Sequence, residues 1–267
     1  MSDVILSATH LNKTFSQRSG RLGVAASKVK ALDDVSIRLK TGSTLAVVGE
    51  SGSGKSTLAR CLLQLQPLDS GEVIFQGKNL AAMSASALRS ERRNIQMVFQ
   101  DPFASLNPRM RVGEIVGEGL LIHQLGNQQE QRVKVVQMLK RVGLSEADME
   151  KYPHEFSGGQ RQRIGIARAL VLEPKVVVCD EPVSALDVSI QAQILLLLKE
   201  LQAEMNLSYI FISHDLRVVR HIADEVVVMY QGKVVEFGGI DEIYQSPKAE
   251  YTRNLLSAIP GQQNKDN

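Results

Sequence analysis

Residues 49–56 read Gly49-Glu50-Ser51-Gly52-Ser53-Gly54-Lys55-Ser56, which fits G-x-x-x-x-G-K-[ST]. These residue types at this spacing hold phosphate. Glycines let backbone N–H groups turn inward around phosphate oxygens, where a Cβ would crowd them. Lys55 reaches the outer phosphates, and the Ser56 hydroxyl is offered to Mg²⁺. Ser56 and Thr57 also open a helix, whose positive end faces the anion. A glycine-rich turn with a chance lysine is the plainer reading. The flanks argue against it, because Thr44–Val48 reads as a buried strand before the loop and Leu58–Leu65 as a helix after it.

A nucleoside triphosphate needs a further metal anchor. Val176-Val177-Val178-Cys179-Asp180-Glu181 supplies an apolar strand ending in two acids. Open α/β sheets bind ligands at the C-terminal tips of their strands. Asp180 suits the Mg²⁺ shell, through water, and Glu181 suits polarisation of an attacking water. Standing alone, the pair would read as a solvated acidic turn; beside the phosphate loop it does not. The guanine-reading Asn-Lys-x-Asp is missing, since Asn12-Lys13-Thr14-Phe15 imitates only its start. Adenine can be held by stacking instead. Phe15 offers that platform, and a core position is the other reading of the residue. A second small-residue stretch, Ser157-Gly158-Gly159-Gln160, also leads into helical spacing. One chain thus carries two phosphate cradles.

The elements positioning these residues alternate in type. Strand-like patterns occupy 3–8, 31–40, 44–48, 72–77, 175–179, 208–213, 225–230 and 233–237, and Gln231-Gly232 reads as a hairpin turn. Helical patterns occupy 160–171, 190–204 and 215–222. Residues 16–29 read as a basic, Ser/Gly-rich surface loop. Residues 101–155 are polar with helical periodicity, as at Glu130–Val142, and read as a helical insertion. The alternation implies an α/β core with a parallel sheet.

The totals set limits. A net charge of +2 lacks the basic surplus of a nucleic-acid binder. Cys61 and Cys179 form neither a disulfide framework nor a zinc pattern, and point to a reducing compartment. No apolar run approaches the roughly 18 residues that span a bilayer. The reading is a chain soluble by itself, held at any membrane by a partner.

Five segments in order, GESGSGKS (49–56), MVFQDP (97–102), FSGGQRQR (156–163), VVVCDEPVSALD (176–187) and ISHD (212–215), strongly resemble the ATP-binding subunits of ABC transporters. The resemblance implies a P-loop NTPase core with a parallel sheet, an antiparallel β subdomain and an α-helical insertion. It implies one ATP-binding domain over 1–267: core 1–100 and 156–240, helical subdomain about 101–155, family-specific tail 241–267. It makes Gln100 a residue touching Mg²⁺ and the attacking water. Ser157, Gly158, Gly159 and Gln160 become the signature that caps ATP on an opposing subunit. Ser184–Asp187 becomes the loop crossing between sites, and His214 the switch contacting the γ-phosphate; alone, His214 would read as a turn residue. Two such subunits, head to tail, would bury ATP between the phosphate loop of one and the signature of the other. Phe156 stands where Leu is commoner in the signature, and Phe15 where Tyr is usual.

The C-terminal IYQSPKAEYTRNLLSAIP (243–260) and SLNPRM (105–110) resemble the oligopeptide/dipeptide/nickel branch of ABC importers. That implies two integral-membrane permease subunits, a substrate-binding protein acting indirectly, and a paralogous ATPase partner, with a heterodimer preferred over a homodimer. It implies a peripheral location on the cytoplasmic face of a bacterial inner membrane. It also implies peptide cargo, with nickel or a metal chelate as the alternative within the branch. A soluble ABC ATPase acting on nucleic acid or ribosomes is the alternative from another class. No cysteine-rich extension is present, so no iron–sulfur cluster is expected. The surface from Gln100 to about Ile115 is expected to receive a permease helix, with Phe103 and Leu106 on it.

Overall fold

Strands buried on both faces carry continuous β-branched and apolar runs, and this chain has several. The computed structural model describes residues 4–17 and 27–259. In chain order its first elements are β1 (Val4–Gln17), β2 (Ser27–Lys40), β3 (Thr44–Val48), α1 (Lys55–Leu62), β4 (Ser70–Phe75) and β5 (Lys78–Asn79). Next come α2 (Ala85–Arg92), β6 (Ile95–Val98), α3 (Pro102–Ser105), α4 (Val112–Ile122), α5 (Gln128–Arg141) and α6 (Gly158–Leu170). Then follow β7 (Val176–Asp180), α7 (Val188–Met205), β8 (Ser208–Ser213), α8 (Leu216–Ile222), β9 (Glu225–Tyr230), β10 (Lys233–Gly239), α9 (Ile240–Gln245) and α10 (Glu250–Ser257). The described residues form two units, one drawn from Met1–Met83 and Ile210–Asn267, the other from Ser84–Tyr209.

The first unit holds an antiparallel sheet in the order β2-β1-β4-β5. Leu6 of β1 lies opposite Leu39 of β2 and Phe75 of β4, and all three are fully buried. The β1–β2 pairing continues out to Phe15↔Val29 and Gln17↔Ser27. The two ends of the segment expected to be a loop, 16–17 and 27–29, are therefore part of a paired ribbon. Backbone groups go on pairing while both strands stay extended, whatever the polarity of their side chains. Residues 18–26, the middle of that expected loop, lie outside the described residues.

The same unit holds β3 paired in parallel with β9, as Leu45↔Glu225 through Val48↔Val228. β8 lies on the other side of β3, and β10 runs antiparallel to β9. Gln231 and Gly232 have φ of 47° and 80°, both positive, as a two-residue hairpin turn that matches strand twist requires. Helices α8, α9 and α10 cover this sheet, with Val219, Ile243 and Leu256 packed on Ala46, Val48, Val226 and Val228.

In the second unit β6 and β7 pair in parallel, and β7 is buried along its whole length. Between 101 and 155 every described regular element is helical: α3, α4, α5 and two short 3-10 turns. Asn127 starts α5 by accepting from the Gln129 and Glu130 N–H groups, both at 3.0 Å, while Glu130 accepts from the Asn127 N–H at 2.8 Å. Such reciprocal caps satisfy N–H groups the helix cannot. The expected strands and helices all occur, most with ends shifted by a few residues, while the strand expected at 3–8 runs on to Gln17. β5, α2 and β6 are additions to that reading.

Candidate functional site

The glycine loop lies between the buried strand β3 and helix α1. A Cβ on Gly49 (φ 149°) would sit 2.1 Å from the Met229 carbonyl oxygen, and one on Gly54 (φ 106°) 2.3 Å from that of Ala31. Glycine at both places follows from backbone approach. The loop carbonyl of Ser53 accepts from the Gly232 N–H at 3.0 Å, so the β9–β10 turn braces it.

Lys55 is buried, and its Nζ donates to the carbonyls of Gly49 (2.8 Å) and Glu50 (2.7 Å), with Ser53 Oγ at 3.5 Å. Ser51 and Gly52 are exposed, and Ser56 and Thr57 half-buried, at the helix start. No side chain caps α1. Its first-turn N–H groups keep the orientation that binds anions.

Phe15, near the exposed end of the β1–β2 ribbon, is 38% exposed, which removes the core reading. Lys13 Nζ lies 5.7 Å from its ring centroid and is held by Asp69 at 2.8 Å. His214 follows β8 and is exposed. Next to it Asp215 caps α8, accepting from the Arg217 N–H at 2.9 Å and from its guanidinium at 3.1 and 2.8 Å. That guanidinium holds the Asp215 carboxyl below its usual range.

In the second unit the acids lie where the strand reading puts them. Asp180 ends β7 and is buried. Glu181 follows in the left-handed region, φ 47°. This conformation costs a non-glycine residue about 1–2 kcal/mol. Two donors from Ser184 hold it, the N–H at 3.2 Å and Oγ at 3.1 Å, both to the Glu181 carbonyl. Gln100 Nε2 donates to Glu181 Oε2 at 3.1 Å. Ser56, Asp180 and Gln100 all carry the hard oxygen donors that Mg²⁺ takes.

Ser157 caps α6: its Oγ accepts from the Gln160 N–H at 3.4 Å, and Gln160 Oε1 accepts from the Ser157 N–H at 3.0 Å. A Cβ on Gly158 would meet Leu186 Cδ2 at an ordinary 3.5 Å, and one on Gly159 would meet Ile190 Cγ2 at 2.6 Å. Asp187 is exposed at the start of α7, followed by Val188 at 81% exposure. Cys179 is buried, and burial pushes its thiol well up, while Cys61 is pushed up to about 11. Neither thiol is a nucleophile at neutral pH.

Sequence reasoning missed the arginines that hold α6. Arg161 Nε donates to the Pro153 carbonyl at 2.7 Å and Arg163 to that of Val142 at 2.6 Å. Arg168 donates to the Ser105 carbonyl and lies 5.8 Å over the Phe99 ring. Their helical spacing is visible, but the carbonyls they reach lie outside the helix, 8, 21 and 63 positions away. One expectation is corrected: Leu106 is 2% exposed and belongs to the packed interior, next to Ser105, whose carbonyl is tied to Arg168 of α6. The side chain of Phe103 lies outside the described residues.

A buried strand, a glycine loop closed by lysine, and a carboxylate pair at the tip of another buried strand define a P-loop nucleoside triphosphatase. The ABC transporter family model matches residues 32–184. This chain belongs to the ABC transporter family of ATP-binding subunits, in its oligopeptide/dipeptide branch. It is 52% identical over 259 residues to the oligopeptide transport ATP-binding protein AppF of Bacillus subtilis, covering 97% of this chain and 79% of that one. It is 57% identical over 233 residues to OppF of Escherichia coli, covering 87% and 70%. Among solved structures, cbiO1 from Clostridium perfringens matches with TM-score 0.78 and 31% identity over 97% of both chains. A dimeric post-hydrolysis ATP-binding cassette, MJ0796 with ADP and Pi, matches with TM-score 0.77 and 29% identity over 88% and 98%.

Proposed function

We propose that this chain hydrolyses ATP to energise a bacterial importer of di- and oligopeptides. The observation that carries the proposal is the joint presence of a complete hydrolytic set, with Gln100 bonded to Glu181, and identity above 50% to peptide-transport ATPases.

The glycine loop with Lys55, Ser56 and Thr57 cradles the phosphates, and Phe15 stacks on adenine. Ser56, Asp180 and Gln100 hold Mg²⁺, which supplies charge neutralisation at the phosphates when bound. Glu181 accepts a proton from the attacking water, oriented by its bond to Gln100. His214 contacts the γ-phosphate. The signature residues Ser157, Gly158, Gly159 and Gln160, with Asp187, complete the site of an opposing subunit. Closing two subunits around ATP finishes the electrostatics around the reacting phosphate, and only then is positioning effective. The opposing subunit is a paralogous ATPase, and the pair sits under two permease subunits on the cytoplasmic face of the membrane. No described helix is long and apolar enough to cross a bilayer.

A groove of about 1420 Å³ bordered by α4 and α5 supports the permease contact. Its wall includes Met110, Gly113 and Glu114, inside the segment that follows Gln100. A Cβ on Gly113 would meet Met149 Cε at 3.0 Å and one on Gly117 would meet Val135 Cγ2 at 3.3 Å, so these two glycines let α4 pack closely against its neighbours along the groove.

The test is uptake of labelled peptides by cells lacking this chain. Restoration by the wild type, but not by Glu181→Gln, is expected. Peptide uptake that ignores its removal, or nickel uptake that follows it, would overturn the cargo.

A further inference from the structure

The C-terminal segment, quoted above only as a mark of the branch, makes a specific contact with the phosphate loop. Tyr251 of α10 accepts a hydrogen bond on its hydroxyl oxygen from the backbone N–H of Glu50, at 3.1 Å. The two residues are 201 positions apart in the chain. Glu50 is also the residue whose carbonyl takes a donor from Lys55 Nζ, at 2.7 Å. The phosphate-binding lysine thus holds the carbonyls of the peptide groups on both sides of Glu50, and α10 adds the hold on the N–H of the first.

Three features hold Tyr251 in place. Its ring packs on that of Tyr230, with centroids 4.3 Å apart and planes tilted by 36°. Tyr230 ends β9, next to Met229, whose carbonyl abuts Gly49. The helix itself is anchored by Glu236 of β10, a buried carboxylate accepting from the N–H groups of Lys248 (2.7 Å) and Ala249 (3.0 Å) just before α10 begins. Burial pushes the Tyr251 phenol up, so it stays neutral and accepts without bringing a negative charge to a phosphate site.

We infer that Tyr251 is a positioning residue for ATP binding, through which α10 presets the backbone of the phosphate loop. The inference rests on the reading of residues 49–56 as the ATP cradle. A loop whose N–H groups already converge binds phosphate without first being ordered, and the ordering cost is otherwise taken from affinity. Without the phenol oxygen the Glu50 N–H loses a fixed partner, and its peptide is held only at the Gly49 carbonyl, by Lys55. The glycines at 49 and 52 make rotation of the loop backbone easy. Chemistry at the γ-phosphate uses other groups, so affinity should change and turnover should not.

The experiment compares the full chain with Tyr251→Phe, which removes one oxygen and keeps the ring stack. ATP binding is read by calorimetry, hydrolysis by phosphate release, and the Glu50 amide by hydrogen exchange. One lost hydrogen bond predicts ATP bound about three- to tenfold more weakly, KM raised alike, kcat within about twofold, and faster exchange at Glu50. Glu236→Gln, which loosens the start of α10 at a distance from the loop, should raise KM in the same direction. Unchanged affinity in Tyr251→Phe, or a loss confined to kcat, overturns the inference and leaves the cradle reading standing. A wild-type chain that binds no ATP overturns both.

Discussion

Gln100 and Glu181 meet because two strands are in register. β6 and β7 pair as Ile95↔Val176 through Val98↔Cys179, a constant offset of 81 positions (176 − 95 and 179 − 98). Two residues beyond the last pair, the same offset gives Gln100 and Glu181, and there the side chains are hydrogen-bonded at 3.1 Å. The sheet therefore sets the relation between Gln100 and Glu181. Glu181→Gln keeps an oxygen for Gln100 to donate to, yet removes the proton acceptor. ATP binding should stay within about twofold of wild type. Hydrolysis should fall by about a hundredfold or more, the range general bases contribute. Phosphate release beside equilibrium binding decides it, and turnover near the wild-type rate would remove Glu181 from the mechanism.

The two signature glycines should fail differently. Gly158→Ala adds a Cβ at ordinary contact distance, 3.5 Å from Leu186 Cδ2, so the fold should tolerate it. If this glycine faces the nucleotide of an opposing subunit, the added methyl should cut ATPase activity at least about tenfold with an unchanged melting temperature. Gly159→Ala puts its Cβ 2.6 Å from Ile190 Cγ2, a clash within the chain. Overpacking of that kind costs about 1–3 kcal/mol, and Ile190→Ala should restore the lost stability. Melting curves for both singles and the double variant separate the effects. A Gly158→Ala chain with full activity would argue against the shared site.

Phe15 was readable from the sequence only as a candidate, and its exposure now makes a quantitative expectation possible. A base on an aromatic ring gains about 1–3 kcal/mol, so Phe15→Ala should weaken ATP binding by about 5- to 150-fold. Phe15→Tyr should bind nearly as the wild type does. Because stacking is indifferent to base identity, GTP should weaken in parallel with ATP. Competition titrations with both nucleotides give the answer, and an Ala variant with full affinity would return Phe15 to a structural role.

What could be read ahead of the structure shares a physical character. The strands β3, β7 and β8 are short, fully buried runs with apolar centres, and their pattern alone marks them. The phosphate loop was legible because glycine at 49 and 54 answers a backbone constraint that no other residue satisfies. β6 was missed as a strand: four residues, Ile95–Val98, are too few to show a period. The ribbon at 16–17 and 27–29 reads as a loop because of its basic, serine-rich sequence, whereas its pairing is made by the backbone. Leu106 was taken for surface because a four-residue helix gives no face to read. The bonds of Arg163, Arg168 and Tyr251 end on backbone groups 21, 63 and 201 positions away, where no local pattern records them.

The anchor of α10 makes the C-terminal region sensitive to acid. Burial raises the Glu236 carboxyl, but the N–H groups of Lys248 and Ala249 outweigh it, and the net position is below the ordinary 4.5. A carboxyl whose folded value is depressed binds its proton more readily in the unfolded chain. Its contribution is therefore fully present above about pH 4.5 and is lost as pH falls through the lower folded value. Glu236→Gln should melt at a lower temperature than wild type at pH 7, because a neutral amide accepts more weakly than a carboxylate from two backbone donors. The gap between the two curves should narrow as pH drops below 4.5, since protonation gives the wild type the same handicap. Melting temperatures from pH 7 to pH 3 test both the gap and its closing. A gap that is constant across that range would mean the carboxylate's charge does not hold α10 in place, and the bracing of the phosphate loop would then need another source.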